Sequence, residues 1–243
     1  MSAVELIEWK APGPYRVAFP TRSGGVSEGP FASLNLGMRT DDDPACVVEN
    51  RRRLCETVGA DPDSATMAWQ RHGATVTRAE PRGVVTPGTV YEHCDGLWTD
   101  VPGRAMLLLT ADCLPVAVVR TAGVPAMAIL HIGWRGLLAG IVAEGVGALG
   151  GGPLAAVIGP SIGACCYEVG EEVGAPFREA FGEDVMHGSH LDLWTCAERA
   201  FRAAGCEHVT RLETCTACDG ERFFSHRRDS GRTGRQGVIA YVS

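Results

Sequence analysis

Thr110-Ala111-Asp112-Cys113, and further on His131-Ile132-Gly133-Trp134-Arg135-Gly136, decide how this chain is read. The first stretch ends the apolar run 106–110, and the second follows the apolar run 126–130. Both runs are short, rich in Leu and Ile, and bounded by Gly or Pro, which favours strands over helices. Each breaks into polar or Gly-rich chain, the way a sheet presents reactive side chains at its rim. A thiol and an imidazole therefore stand at the ends of segments that read as adjacent strands. Upstream, the run 67–70 reads as a strand arriving at Gln70-Arg71-His72-Gly73, which offers a second imidazole. His72, Cys113 and His131 make a three-ligand zinc set with one position open, as a catalytic metal needs. The ligands lie 41 and 18 residues apart, a spacing that no local metal motif covers. The plain alternative makes Cys113 a small buried hydrophobe and the histidines hydrogen-bonded core groups. Gly73 and Gly133 favour the metal, because they let backbone approach a ligand closely.

Outward from this stretch, strands and helices mix along the whole chain. Residues 15–19, 115–119, 155–158 and 238–242 read as strands. Thr21-Arg22-Ser23-Gly24-Gly25 opens a turn-rich loop, and 31–37 is irregular and half apolar. Asp43 before Pro44 is an N-cap signal, and the helix it starts runs through Val47, Arg51 and Leu54 to Gly59. Leu137, Leu138, Ile141, Val142 and Val146 fall at helical spacing, so 134–149 reads as one helix. Residues 169–181 and 191–204 are two further helices. No composition shift marks a linker. The expectation is a single α/β (α+β) domain over 1–243, with a mixed β-sheet core flanked by helices.

Composition sets outer bounds. A chain of 243 residues is one large domain or two small ones, with a core that needs no disulfides. The net charge of −7 argues against nonspecific nucleic-acid binding, which draws on cationic contacts to phosphate. Lys10 is the sole lysine, so the basic groups are arginines suited to planar recognition of phosphate or carboxylate. No apolar run reaches the ~18 residues of a membrane span. The stretch from Met1 to Glu8 has neither a basic start nor a long apolar core, so it is no signal peptide. The protein reads as cytoplasmic, its ten cysteines as reduced thiols. Cys215-Thr216-Ala217-Cys218 could be half of a zinc ribbon, but no second pair lies at ribbon spacing; Cys165-Cys166 is a separate vicinal pair. Both read as plain thiols in turns. His93 and Cys94 beside Asp95 are not taken as a site.

The motifs together resemble a known family. Thr21-Arg22 through Gly37, Gln70-Arg71-His72-Gly73, Thr110 to Val116, His131 to Gly136, Ile158 to Val169, Cys215-Thr216 and Phe223 to Asp229 look like the YfiH/laccase-domain family, once called multicopper polyphenol oxidases. The resemblance covers nearly the whole chain in order. It implies zinc on His72, Cys113 and His131, with copper possible. It implies a purine nucleoside phosphorylase acting on adenosine, inosine and methylthioadenosine, with adenosine deaminase activity. The older activity label is copper-dependent phenol oxidation, and some members are linked to peptidoglycan-precursor editing. Three positions depart from the family pattern: Arg71, Ile132 and His226 stand where a small apolar residue, Ala and Tyr are usual. Arg71 bears on the mouth of a pocket.

Cys113 and His131 are then the catalytic candidates. Arg22 and Arg135 are candidates for phosphate or substrate, and Asn35 for a substrate hydrogen bond. Asp112 is a candidate for orienting a ligand imidazole. The partners implied are purine nucleosides and phosphate, with no nucleic acid and no membrane. Zinc held in this way lowers the pKa of water, which suits deamination, whereas phosphorolysis needs donors that hold phosphate. Two other readings use the same residues. Copper oxidation would need more ligands than seven histidines readily supply. A metal-free hydrolase would use Cys113 as nucleophile and His131 as base. A binding or editing-accessory protein stabilised by the metal is the non-enzyme reading.

Overall fold

Successive side chains of a strand point to opposite faces of its sheet, and in this protein both faces are apolar. The computed structural model describes residues 3–86 and 88–243. Met1 and Ser2, part of the N-terminal stretch read above, lie outside the described residues. The strands are β1 (Leu6–Glu8), β2 (Tyr15–Pro20), β3 (Thr66–Met67), β4 (Val76–Arg78), β5 (Gly96–Thr99), β6 (Met106–Thr110), β7 (Leu114–Arg120), β8 (Met127–Ile132), β9 (Leu154–Ile158), β10 (Met186–His187), β11 (His190–Leu191), β12 (Cys206–Arg211) and β13 (Gln236–Val242). The helices are α1 (Pro44–Val58), α2 (Trp134–Leu138), α3 (Ile141–Ala148), α4 (Glu171–Phe181) and α5 (Leu193–Ala203).

Two mixed sheets stack face to face. One has the order β1-β2-β13-β6-β3, the other β12-β9-β7-β8-β5-β4; β10 and β11 form a small hairpin of their own. Ala117, Val119, Met127 and Ile129 of the six-stranded sheet meet Val17, Phe19, Leu108 and Val238 of the five-stranded one. The alternate residues Val116, Val118, Ala128 and Leu130 turn away, toward Ile141, Phe177, Leu193 and Phe201 of the later helices. Leu107 and Ile239 face Leu54, Cys55 and Val58 of α1. The layers thus run α1, sheet, sheet, α2–α5. The mixed sheet core flanked by helices is as the sequence implies.

Register brings the thiol to the imidazole. In the antiparallel pair β7–β8, Pro115 lies opposite His131 and Leu114 opposite Ile132. Cys113, one residue before β7, therefore stands beside His131. β8 lies between β7 and β5, whereas β6, which ends at Thr110, belongs to the other sheet, so the runs 106–110 and 126–130 are not adjacent strands. Thr110 to Cys113 is the passage from one sheet to the next, and both sheets converge on it.

Some expected elements change. The single helix expected over 134–149 is two, because Gly140 takes a left-handed backbone, φ 89°, between α2 and α3. Of the run 67–70 only Met67 belongs to a strand, β3, and Ala68 makes an isolated parallel bridge to Glu92. The residues 191–204 split into β11 and α5. α1 follows its signals closely: Asp43 accepts from Ala45 N, and Gly59 closes the helix at φ 76°. β1, β4, β5, β10 and β12 have no counterpart in the sequence reading; β12 is an edge strand with mostly polar, exposed residues.

Candidate active site and metal centre

Asp95, immediately before β5, organises the two histidines. Its carboxylate accepts from three consecutive backbone N–H groups, Arg71 (3.0 Å), His72 (2.8 Å) and Gly73 (2.8 Å). His131 Nδ1 lies 2.8 Å from the same carboxylate, and the Asp95 carbonyl accepts from His131 N at 2.7 Å. A ring that gives its Nδ1 proton to Asp95 keeps the Nε2 lone pair for a metal. Burial opposes ionisation of Asp95, but the His131 ring and the N–H groups of Gly73 and Arg71 outweigh it and hold the carboxyl below its ordinary range. His72 sits at φ 60°, a left-handed conformation that non-glycine residues seldom adopt. The Asp95 contacts hold it there. Gln70 fixes the loop from its other end, pairing its amide with both backbone groups of Leu109.

Cys113 follows another left-handed residue, Asp112 at φ 93°. The Asp112 carboxylate accepts from Thr216 Oγ1 and from Arg227 N, each at 2.7 Å, and its carbonyl accepts from Ile162 N. Asp112 therefore ties three chain segments together, while Asp95 does the orienting of an imidazole that the sequence suggested for Asp112. The sequence does not point to Asp95, because three of its four partners are backbone N–H groups, which leave no residue signature.

The ligand atoms of His72, Cys113 and His131 all lie within 4.8 Å of one another, and the two rings meet edge-on with centroids 4.9 Å apart. Burial pushes the Cys113 thiol up, yet His131 and then His72 override it and bring the thiol down to about 6. In turn Cys113 and Asp95 overcome burial to hold His131 up at about 9. A thiolate with two imidazoles is a donor set that suits zinc or copper. Gly133 leaves room for it: a Cβ there would stand 3.2 Å from both Cys113 Sγ and the His72 ring. Gly136 lets α2 come down on the loop, since a Cβ would meet the Gly73 carbonyl at 2.8 Å.

The three groups share a wall of a cavity of about 440 Å³. Met67, Trp69 and Leu109 give it an apolar side; Arg39, Arg227 and Arg235 bring positive charge. The Arg39 guanidinium lies 3.9 Å over the Trp69 ring. Thr110 Oγ1 is buried on the lining with no protein partner.

Residues 16–243 match the family model described as multi-copper polyphenol oxidoreductase laccase. The chain belongs to that family. A Pseudomonas aeruginosa protein named purine nucleoside phosphorylase is 41% identical, covering 100% of this chain and 99% of its own. The Escherichia coli protein named purine nucleoside phosphorylase YfiH is 35% identical and covered in full, as is this chain. The crystal structure of YlmD from Geobacillus stearothermophilus superposes with a TM-score of 0.88 at 33% identity, covering 99% of this chain and 96% of that one. A Neisseria meningitidis protein of the family gives a TM-score of 0.88 at 31% identity, with both chains covered in full.

Other residues that the sequence brought forward lie around this cavity in different ways. Arg22 is spent on carbonyls, donating to Ala32 O and Gly220 O while its guanidinium stacks on Phe224. Asn35 is fully buried and donates to Thr40 and Asp42; its oxygen accepts from Gly37 N and Arg235 N. Neither lines the cavity; Asn35 backs it through Thr40, Gly37 and Arg235, whereas none of these Arg22 partners is a lining residue. Arg135 is exposed on α2 with its guanidinium 4.2 Å over the Trp134 ring, and it too is outside the lining. The cavity's cations come instead from Arg39, Arg51, Arg227 and Arg235. Of the three departures from the family pattern, His226 lines the cavity; Arg71 turns outward to His93. Ile132 is buried in the helix-side core.

The fold also joins the two cysteine pairs. Cys165, Cys166, Cys215 and Cys218 form one cluster, with sulfurs within 4.8 Å of one another. Every cysteine in the chain is a free thiol. No helix among the described residues is long and apolar enough to cross a membrane.

Proposed function

We propose that this chain is a zinc-dependent purine nucleoside phosphorylase, converting adenosine, inosine or methylthioadenosine with phosphate to free base and the ribose 1-phosphate derivative. The observation that carries this reading is the His72–Cys113–His131 set on the wall of a cavity with one aromatic, apolar side and several arginines. The names given to the relatives from Pseudomonas aeruginosa and Escherichia coli support it. A phosphate oxygen bonds to the anomeric carbon while the bond to the base nitrogen breaks; its electron pair leaves with the base, which gains a proton. Zinc, when bound, supplies a Lewis acid at that wall.

The chain's own residues do the rest. Trp69, Met67 and Leu109 offer a flat apolar surface to the purine. Arg39 and Arg235 hold phosphate, Arg235 from a position where Asn35 and the Thr233 and Gly234 carbonyls fix it. Asn35 supports this lining through Thr40, Gly37 and Arg235, and Arg22 and Arg135 stay outside it. Thr110 Oγ1 donates to the bound nucleoside. Asp95 keeps the His131 proton on Nδ1 and both imidazoles in place. Deamination of adenosine is the second activity proposed for this cavity. It requires water at the base where phosphorolysis requires phosphate at the sugar.

Asp95, His131 and Cys113 also have the form of a thiol-hydrolase triad. His72 speaks against that use, because a second imidazole on the same sulfur serves a metal and not a nucleophile. Copper oxidase chemistry draws on several coppers, and this is the one histidine-bearing ligand cluster among the described residues. The test is product analysis. Inosine with phosphate should yield hypoxanthine and ribose 1-phosphate, and adenosine should yield inosine without phosphate. Cys113→Ala should lose both activities and the zinc of this centre. Arg39→Gln and Arg235→Lys should each raise the KM for phosphate about tenfold, roughly 1.4 kcal/mol of binding, and Arg135→Lys should not. Base release that ignores phosphate, or full activity in Cys113→Ala, would overturn the reading.

A further inference from the structure

Four thiols meet away from the histidine centre. Cys165 and Cys166 lie in the turn after β9, Cys215 and Cys218 in the turn after β12. Cys218 Sγ stands 3.4 Å from Cys166 Sγ and 3.5 Å from Cys165 Sγ, although these residues are 52 and 53 positions apart in sequence. All four sulfurs lie within 4.8 Å of one another. A tetrahedral tetrathiolate with Zn–S bonds near 2.3 Å has sulfur–sulfur edges of about 3.8 Å. Two of the separations here lie just under that length, and none exceeds it by more than about 1 Å.

We propose that Cys165, Cys166, Cys215 and Cys218 form a second metal site, a closed tetrathiolate for zinc. The donor set is all sulfur, which selects a soft or borderline ion over magnesium or calcium. The backbone is set before any metal arrives. Cys166 N and Tyr167 N both donate to Gly163 O, Asp219 N donates to Cys215 O, and Ser161 pairs with Cys215 in an isolated parallel bridge. Gly163 N–H donates to Cys215 Sγ at 3.3 Å, a contact that favours the thiolate a metal requires. Packing does not account for the convergence. Cys55, Cys94, Cys196 and Cys206 are buried as small hydrophobes, whereas Cys165 and Cys218 are exposed.

The site has a use for the neighbouring cavity. One turn carries Ile162 and Tyr167, which line the cavity. The other carries Thr216, whose hydroxyl donates to Asp112, the residue before Cys113. A metal joining the turns pins both to each other and holds the wall against which Cys113 is placed. This assignment does not depend on what the cavity binds.

Metal counting on the full-length protein, purified under reductant, tests it. Wild type should carry two metals per chain, Cys113→Ala one and Cys218→Ser one, with the double variant carrying none. Cobalt loaded into Cys113→Ala should give sulfur-to-metal charge transfer about four times that expected for one thiolate. Cys165→Ser, at an exposed position, repeats the test should Cys218→Ser not fold. The cobalt spectrum and the metal count of Cys113→Ala need neither serine variant. No metal in Cys113→Ala, a one-thiolate cobalt spectrum, disulfides among the four cysteines, or iron in place of zinc would each overturn the assignment. A phosphorylase assay that fails while the second zinc remains would count against the function proposed above and leave this site standing.

Discussion

Asp95 bonds the backbone of the loop that carries His72 and the ring of His131, so one carboxylate aligns two ligands from different segments. Asp95→Asn keeps the shape but turns an NH2 group toward N–H donors and removes the charge that orients His131. Affinity for zinc at the histidine centre should fall about 10- to 100-fold, read by chelator competition with the thiol cluster blocked or removed. Unchanged affinity would show that the carboxylate is not what aligns the ligands. The same residue marks where sequence reading stops. His72, Cys113 and His131 were legible because each ends an apolar run or stands beside Gly. Asp95 was not, because three of its partners are backbone N–H groups 22 to 24 residues upstream and the fourth, the His131 ring, lies 36 residues downstream. Arg22 and Asn35 were noticed for side-chain chemistry that the fold spends on carbonyls, hydroxyls and backbone N–H groups. Of the arginines that reach the cavity, Arg39 and Arg51 stand far from Arg227 and Arg235 in sequence, and among Arg227, Arg228, Arg232 and Arg235 the sequence does not say which one turns inward.

Helix α2 has five residues, too few to hold itself, and is placed by contact with the His72 loop. Three glycines in α2, α3 and their junction should respond to Ala in three different ways. Gly136→Ala drives a Cβ against the Gly73 carbonyl and should cost about 1 to 3 kcal/mol, with weaker zinc binding because the loop moves. Gly140→Ala meets no atom but keeps the left-handed φ of 89°, so it should cost about 1 to 2 kcal/mol with zinc binding intact. Gly147→Ala, exposed in α3 with nothing nearby, should stabilise by about 0.5 to 1 kcal/mol. Denaturant midpoints and zinc affinities on the three variants check the order, and equal losses at Gly136 and Gly147 would refute it. The break at Gly140 also explains why one helix was expected over 134–149. Apolar spacing runs straight through Gly140, and periodicity carries no trace of a single backbone reversal.

Four layers bury the central strands on both faces, so β6 to β9 read as continuous apolar runs and not as alternating ones. Strand existence was legible from those runs, whereas the division of β6 and β7 between two sheets was not, since pairing is set by partners such as β13 far along the chain. Meeting of the two cysteine pairs is hidden for the same reason. The layered core makes one bulk property testable: its response to alkali. Burial pushes the thiols of Cys55 and Cys196 up to about 12 and that of Cys206 to about 11. In the unfolded chain such thiols ionise near pH ~8.5. Between those values the unfolded state has released a proton that the native state retains, so rising pH favours unfolding. The contribution is whole below pH ~8.5 and is lost at up to about 1.4 kcal/mol per pH unit for each thiol until its folded value is reached. Cys55→Ala should therefore be less stable than wild type at pH 7.5, because it leaves a small void beside Leu54 and Val58. At pH 10 that gap should narrow by about 1 to 2 kcal/mol, since wild type alone carries the thiol that resists ionising. Urea unfolding of both proteins at the two pH values, under reductant, measures the change. A gap that stays constant or widens at pH 10 would mean that Cys55 does not remain protonated in the folded core.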